Sequence, residues 1–102
     1  ESTSGDLCLR EGAHLATKGG EVRDLTALEC ASLGSLMRAG GRVKSREELI
    51  EEVSKRKFDV FDRSIDVRVT RLRAKLEVDP ANPAYIRTIW GKGYMFCPNG
   101  DG

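Results

Sequence analysis

Residues 62–76, Asp-Arg-Ser-Ile-Asp-Val-Arg-Val-Thr-Arg-Leu-Arg-Ala-Lys-Leu, concentrate side chains suited to a charged partner. Arg63, Arg68, Arg71, Arg73 and Lys75 are basic, and Asp66 is the one acid among them. A lysine-rich face is usually just solvated, but arginine dominates here. Its planar fork can hold a guanine edge or a phosphate at two points at once. Wound at about 100° per residue, the segment puts Ile65, Val69, Leu72 and Leu76 on one apolar stripe. Asp62 is placed to cap the helix N-terminus. Arg63, Val67, Thr70 and Arg71 fall opposite the stripe. Ser64, Arg68 and Lys75 flank one edge; Asp66 and Arg73 flank the other. The pattern predicts a helix that buries its stripe and lays its outer face on nucleic acid.

Individual roles follow from the wheel. Arg71 points away from the core, where it can read a base. Arg73 and Lys75 are expected on phosphates, which position a protein without specifying sequence. Val67 suits a thymine methyl, or is only a tolerated surface valine. Asp66 would repel phosphate, so it is expected to pair an arginine such as Arg87 or Arg73. With six cations sharing a surface (Lys92 the sixth), binding should weaken steeply with salt, with a log–log slope of about −4 to −5.

Other chemistries find little support. His14 is the only histidine, with no clustered partner for a metal or a nucleophile. Cys8, Cys30 and Cys97 are an odd count without close spacing, expected as small apolar residues in a reducing compartment. Neither an enzyme nor a cofactor is indicated. With 17 basic and 16 acidic residues in 102, the balance is near neutral, so the placement of charge carries the argument. The length suits one domain, and no apolar run is long enough to span a membrane.

The helix needs a frame. Residues 1–5 are polar and unpatterned, expected as a frayed linker remnant. Residues 6–25 read as three short antiparallel strands around turns at Glu11-Gly12 and Gly19-Gly20. Thr26 and Glu29 form a capping box for a first helix ended by Gly40-Gly41; Ser45 and Glu48 form another for a second. Lys55, Arg56, Lys57, Phe58 and Asp59 lie in a charged, aromatic loop. After Asp79-Pro80, residues 85–90 and 94–96 read as a hairpin turning at Gly91-Lys92-Gly93. Those glycines suit a tight turn, since they form no GxGxxG phosphate loop. The order is α+β: a small N-terminal antiparallel sheet, three helices and a hairpin wing, which is a winged helix-turn-helix. The boundaries are 6–97 for the domain and 98–102 for a tail.

Two motifs carry a resemblance. The run from Asp62 through Arg71-Leu72-Arg73 to Lys75-Leu76, and Ile86-Arg87-Thr88-Ile89-Trp90-Gly91-Lys92-Gly93-Tyr94-Met95-Phe96, resemble the effector domain of OmpR/PhoB-type response regulators. Leu25-Thr26-x-x-Glu29 and Ser45-Arg46-x-x-Leu49 match its first two helix starts. The resemblance spans residues 6–97. It implies sequence-specific binding of double-stranded DNA at direct repeats, control of transcription, and a cytoplasmic location without membrane contact. It places Arg63, Ser64, Val67, Arg68, Thr70, Arg71, Arg73, Lys75, Thr88, Trp90 and Lys92 at DNA. It implies that Lys55 to Asp59 face RNA polymerase. The family's receiver domain, on which a sensor kinase acts, is expected outside this chain, so no aspartate here is expected to be phosphorylated. The family's N-terminal sheet has four strands where three are legible. Trp90 stands where some members have arginine. The competing reading is a winged-helix protein-interaction module; RNA binding ranks third, for want of a stacking pattern.

Overall fold

The computed structural model describes residues 2–54 and 65–97. Strands β1 (Ser2–Ser4), β2 (Leu7–Arg10), β3 (Leu15–Lys18) and β4 (Glu21–Asp24) form an antiparallel meander in chain order. The first strand corrects the expectation of a frayed start. Ser2, Thr3 and Ser4 pair with Leu9, Cys8 and Leu7. Three polar residues carry no hydrophobic alternation to announce a strand, so the backbone pairing is not legible in the pattern. Leu7, Leu9 and Ala16 are buried beneath the sheet. Strand β3 starts only at Leu15, because Glu11–Ala13 form a 3-10 turn closed by His14 at φ 54°.

Helix α1 (Ala27–Arg38) begins with the expected capping box. Thr26 Oγ1 accepts from Glu29 N at 3.1 Å, and Glu29 Oε1 accepts from Thr26 N at 2.9 Å. Helix α2 (Arg46–Ser54) repeats it, with Ser45 Oγ accepting from Glu48 N at 3.1 Å and Glu48 Oε1 from Ser45 N at 3.0 Å. Helix α3 (Ile65–Leu76) buries the four residues of the stripe, Ile65, Val69, Leu72 and Leu76. Burying each is worth about 1.5–3 kcal/mol, enough to fix which way the helix faces. Its proposed cap, Asp62, lies outside the described residues. Cys30 and Cys97 are buried and Cys8 is half-buried, and none of the three is in a disulfide among the described residues.

Strands β5 (Ile86–Ile89) and β6 (Gly93–Phe96) form the expected wing. The sequence did not reveal its third member. Lys44, between α1 and α2, bridges Tyr94: Lys44 N donates to Tyr94 O at 2.8 Å and Tyr94 N to Lys44 O at 2.9 Å. Gly93 makes this approach possible. It has φ 144°, and a Cβ there would lie 2.0 Å from Lys44 O. At Gly91, with φ 76°, a Cβ would meet open space.

The two glycines should therefore separate in a denaturant titration. Gly91→Ala bears only the left-handed backbone strain, about 1–2 kcal/mol. Gly93→Ala adds a collision with backbone and should lose distinctly more, upwards of about 3 kcal/mol. Equal losses would mean that the Lys44 bridge does not form.

Candidate nucleic-acid interface

The outer face of α3 is available as its periodicity predicts. Val67, Thr70 and Arg71 are exposed, Val67 to 38%, and Arg68 is half-buried at the edge. Thr70 Oγ1 donates to Asp66 O at 2.9 Å, one turn back. Arg63, expected on the same face, and Ser64, expected at its edge, lie outside the described residues, as do Lys55, Arg56, Lys57, Phe58 and Asp59. At the wing tip Trp90 is 88% exposed and Lys92 is exposed, the turn closed by Lys92 N donating to Ile89 O at 3.0 Å. Trp90 is thus no part of the core, whereas Tyr94 is buried.

Two expected phosphate ligands turn inward. Arg73 Nε donates to Ile86 O at 3.0 Å and Nη2 to Thr88 Oγ1 at 2.8 Å, with the guanidinium 5.7 Å from the Tyr94 ring centroid. Thr88 is half-buried and occupied by this bond. Lys75 Nζ donates to Glu29 Oε1 at 2.6 Å and to Asp24 O at 2.9 Å. Both residues flank the apolar stripe, so their long stems run along the protein and meet acceptors there before solvent. Glu29 is almost wholly buried, and Lys75 is its counter-charge. Burial pushes the Glu29 carboxyl up. The Lys75 ammonium and the Thr26 backbone N–H outweigh it, and the net direction is down.

Asp66 also finds other partners than those expected. Its Oδ1 accepts from Arg46 Nε at 2.9 Å and from the Tyr94 hydroxyl, and neither Arg87 nor Arg73 is bonded to it. Arg46 lies in the first turn of α2, brought beside α3 by packing that no local spacing records. The Tyr94 hydrogen bond holds the Asp66 carboxyl below its ordinary 3.8 against some desolvation, with help from Arg46. Burial, and then the Asp66 carboxylate, push the Tyr94 hydroxyl up, so it stays a donor. Arg46 sits 5.4 Å from the same ring. Helix α2, helix α3 and the wing therefore meet on one carboxylate.

Arg87 stands apart. It is half-buried, its Nε is buried without a hydrogen-bond partner among the described residues, and with Trp90, Thr88, Arg73, Asn82 and Pro83 it lines a groove beside β5. Sequence reasoning considered it only as a partner for Asp66.

A half-exposed basic helix face, set beside an open hairpin tip on a three-helix frame, defines a winged-helix DNA-binding domain. Comparison with known proteins narrows the class. The family described as "Transcriptional regulatory protein, C terminal" matches residues 20–96, and the chain belongs to it. The regulatory protein VirG of Agrobacterium tumefaciens is 44% identical over 94 residues, which are 92% of this chain and 35% of VirG. The chain thus spans about a third of that relative's length. The RstA DNA-binding domain of Klebsiella pneumoniae, solved in complex with the RstA box, superimposes with a TM-score of 0.80 at 31% identity, covering 94% of this chain and 95% of that one. The C-terminal effector domain of BfmR from Acinetobacter baumannii gives 0.78 at 39% identity over 99% and 93%. The chain is a DNA-binding output domain of the OmpR/PhoB type.

The inward residues should behave as structure. Lys75→Ala strands the Glu29 carboxylate and should lower unfolding free energy by about 1.5–3 kcal/mol, while Arg71→Ala should stay within about 0.5. A carboxyl whose folded value is depressed stabilises above its unfolded value and loses that contribution as pH falls through the folded one. The stability gap between the protein and Asp66→Asn should therefore be full above pH 3.8 and shrink below it. A gap independent of pH would show that Asp66 is not held as the anion.

Proposed function

We propose that α3 enters the major groove of double-stranded DNA by its outer face, with Arg71 reading base edges and Val67 beside it. The observation that carries this is the exposure of Val67, Thr70 and Arg71 while both flanks of the helix are tied to the protein. By sequence Arg63 belongs to the same face, and Ser64 and Arg68 to its edge. They supply phosphate or base contacts as the chain passes the groove wall. The wing contributes Lys92 and Trp90 to the adjacent backbone or minor groove. Thr88 acts through Arg73 more than by direct contact. That RstA has been solved on its own box supports a duplex, not a protein, as the partner of this face.

The whole regulator's behaviour extends the proposal. Two copies of the domain bind head to tail on direct repeats about 10–10.5 bp apart, one turn of duplex. The loop of Lys55, Arg56, Lys57, Phe58 and Asp59 faces RNA polymerase, its sequence being basic and aromatic without belonging to the α3 face. A receiver domain elsewhere in the full protein, addressed by a sensor kinase, governs when pairing occurs. The site of action is the cytoplasm; among the described residues no helix is long and apolar enough to cross a membrane.

Because Arg73 and Lys75 are engaged internally, fewer cations remain for phosphate than the sequence suggests. On duplexes selected from a random library, log affinity against log salt should fall with a slope of about −3 to −4. Arg71→Ala should lose about 1–3 kcal/mol on the selected duplex and little on a scrambled one. Arg73→Ala should reduce thermal stability and leave the ratio of the two affinities unchanged. A slope near zero would remove the DNA reading altogether.

A further inference from the structure

Tyr85 O accepts from Cys97 N at 2.7 Å, so the pairs Arg87–Met95 and Ile89–Gly93 are the hydrogen-bonded ones of the hairpin. The alternation turns the backbone groups of Ile86 and Thr88 to the outer edge of β5, and those of Tyr94 to the outer edge of β6. Lys44 covers the Tyr94 edge. Among the described residues the outer edge of β5 has no neighbouring strand, yet it is not bare. Ile86 N donates to Glu77 Oε2 at 2.9 Å, and Ile86 O accepts from Arg73 Nε at 3.0 Å. Ala84 N donates to Glu77 Oε1 at 2.9 Å, and Tyr85 N lies 3.1 Å from both of its oxygens. Glu77 is buried, one helical turn after Arg73, and its own N–H still donates to Arg73 O at 2.9 Å.

We propose that Arg73 and Glu77 together act as a substitute strand that yokes the outer edge of β5 to the end of α3, and so position the wing tip for DNA. The carboxylate replaces a neighbouring strand's carbonyls and the guanidinium replaces its N–H. Together they saturate Ile86 on the side where an edge strand would otherwise recruit another chain. Arg73 continues to the Thr88 hydroxyl, two residues before Trp90. The angle between the groove-facing helix and the wing is then set by two polar side chains at one end and by the Asp66–Tyr94 bond at the other. Glu77 touches no DNA in this account; it is a positioning residue for Lys92 and Trp90. The proposal rests on the wing contact stated above.

A cycle of variants tests it on the whole 102-residue chain, using a duplex selected from a random library. In the wild type, Lys92→Ala should reduce the salt slope by about one unit. In a Glu77→Ala background that reduction should fall below about half a unit, while Arg71→Ala still relaxes sequence preference. A general loss of stability would not erase one effect and spare the other. Native-state hydrogen exchange gives an arm free of DNA. The Tyr85 and Ile86 amides should exchange about tenfold or more faster in Glu77→Ala, and the Leu33 and Leu36 amides of α1 only as global stability dictates. Should Glu77→Ala not fold, Glu77→Gln, which keeps one acceptor oxygen, carries both arms with smaller changes of the same sign. Unchanged exchange at Tyr85 and Ile86, or an undiminished Lys92 effect, overturns the proposal. If Lys92→Ala does nothing in the wild type, the wing contact itself is wrong, and exchange alone decides the role of Glu77.

Discussion

A helix that reads a groove must not roll about its own axis. A turn of one residue's width, about 100°, would exchange the reading face for a flank. The burial of Ile65, Val69, Leu72 and Leu76 gives α3 its coarse facing. An apolar stripe is non-directional, however, and tolerates some rotation. Hydrogen bonds are directional, and here they sit on both flanks. Asp66 and Arg73 bind on one side, to Arg46 with Tyr94 and to Ile86 with Thr88. Lys75 binds on the other, to Glu29 and Asp24. What stays outside these bonds is the face left for DNA.

Further polar bonds integrate the N-terminal sheet. Arg23 Nε donates to Lys75 O at 3.1 Å, and the Tyr85 hydroxyl donates to Asp6. Desolvation, and then the Asp6 carboxylate, push that hydroxyl up to about 12, so it remains a donor throughout the stable pH range. The sheet, made largely of short polar strands, is therefore more than a cover for Leu33 and Leu36. It reaches the end of α3 and the root of the wing. Charges that look like a solvated surface in the sequence are partly structural ties, as Lys44 with Glu52 and Lys75 with Glu29 are.

Local pattern was enough to read α3, both capping boxes and the hairpin, because each rests on spacing within a few residues. The outer face of α3 was legible for the same reason. The first strand was not, since Ser2, Thr3 and Ser4 show no alternation of apolar and polar residues to announce their pairing. Nor could sequence assign Arg73 and Lys75. Their angles around the helix were read correctly as flanking, but whether a flanking cation meets solvent or protein depends on what packs alongside. Ile86 and Glu29 arrive there from 13 and 46 residues away. Arg46 beside Asp66, Lys44 beside Tyr94 and Glu77 at the outer edge of β5 are likewise products of packing. Lysine and glutamate at such positions look like ordinary surface residues until the backbone groups they satisfy are counted.

The most direct test of this account is a backbone NMR titration of the 102-residue chain with a duplex selected from a random library. If the groove-facing assignment is right, amide shifts will concentrate at Val67 to Arg71 and at Trp90 to Lys92. The acidic start of α2, at Glu47 and Glu48, and the strands of the N-terminal sheet will stay near their free positions. Changes centred on that sheet or on α2, with α3 and the wing unmoved, would contradict it.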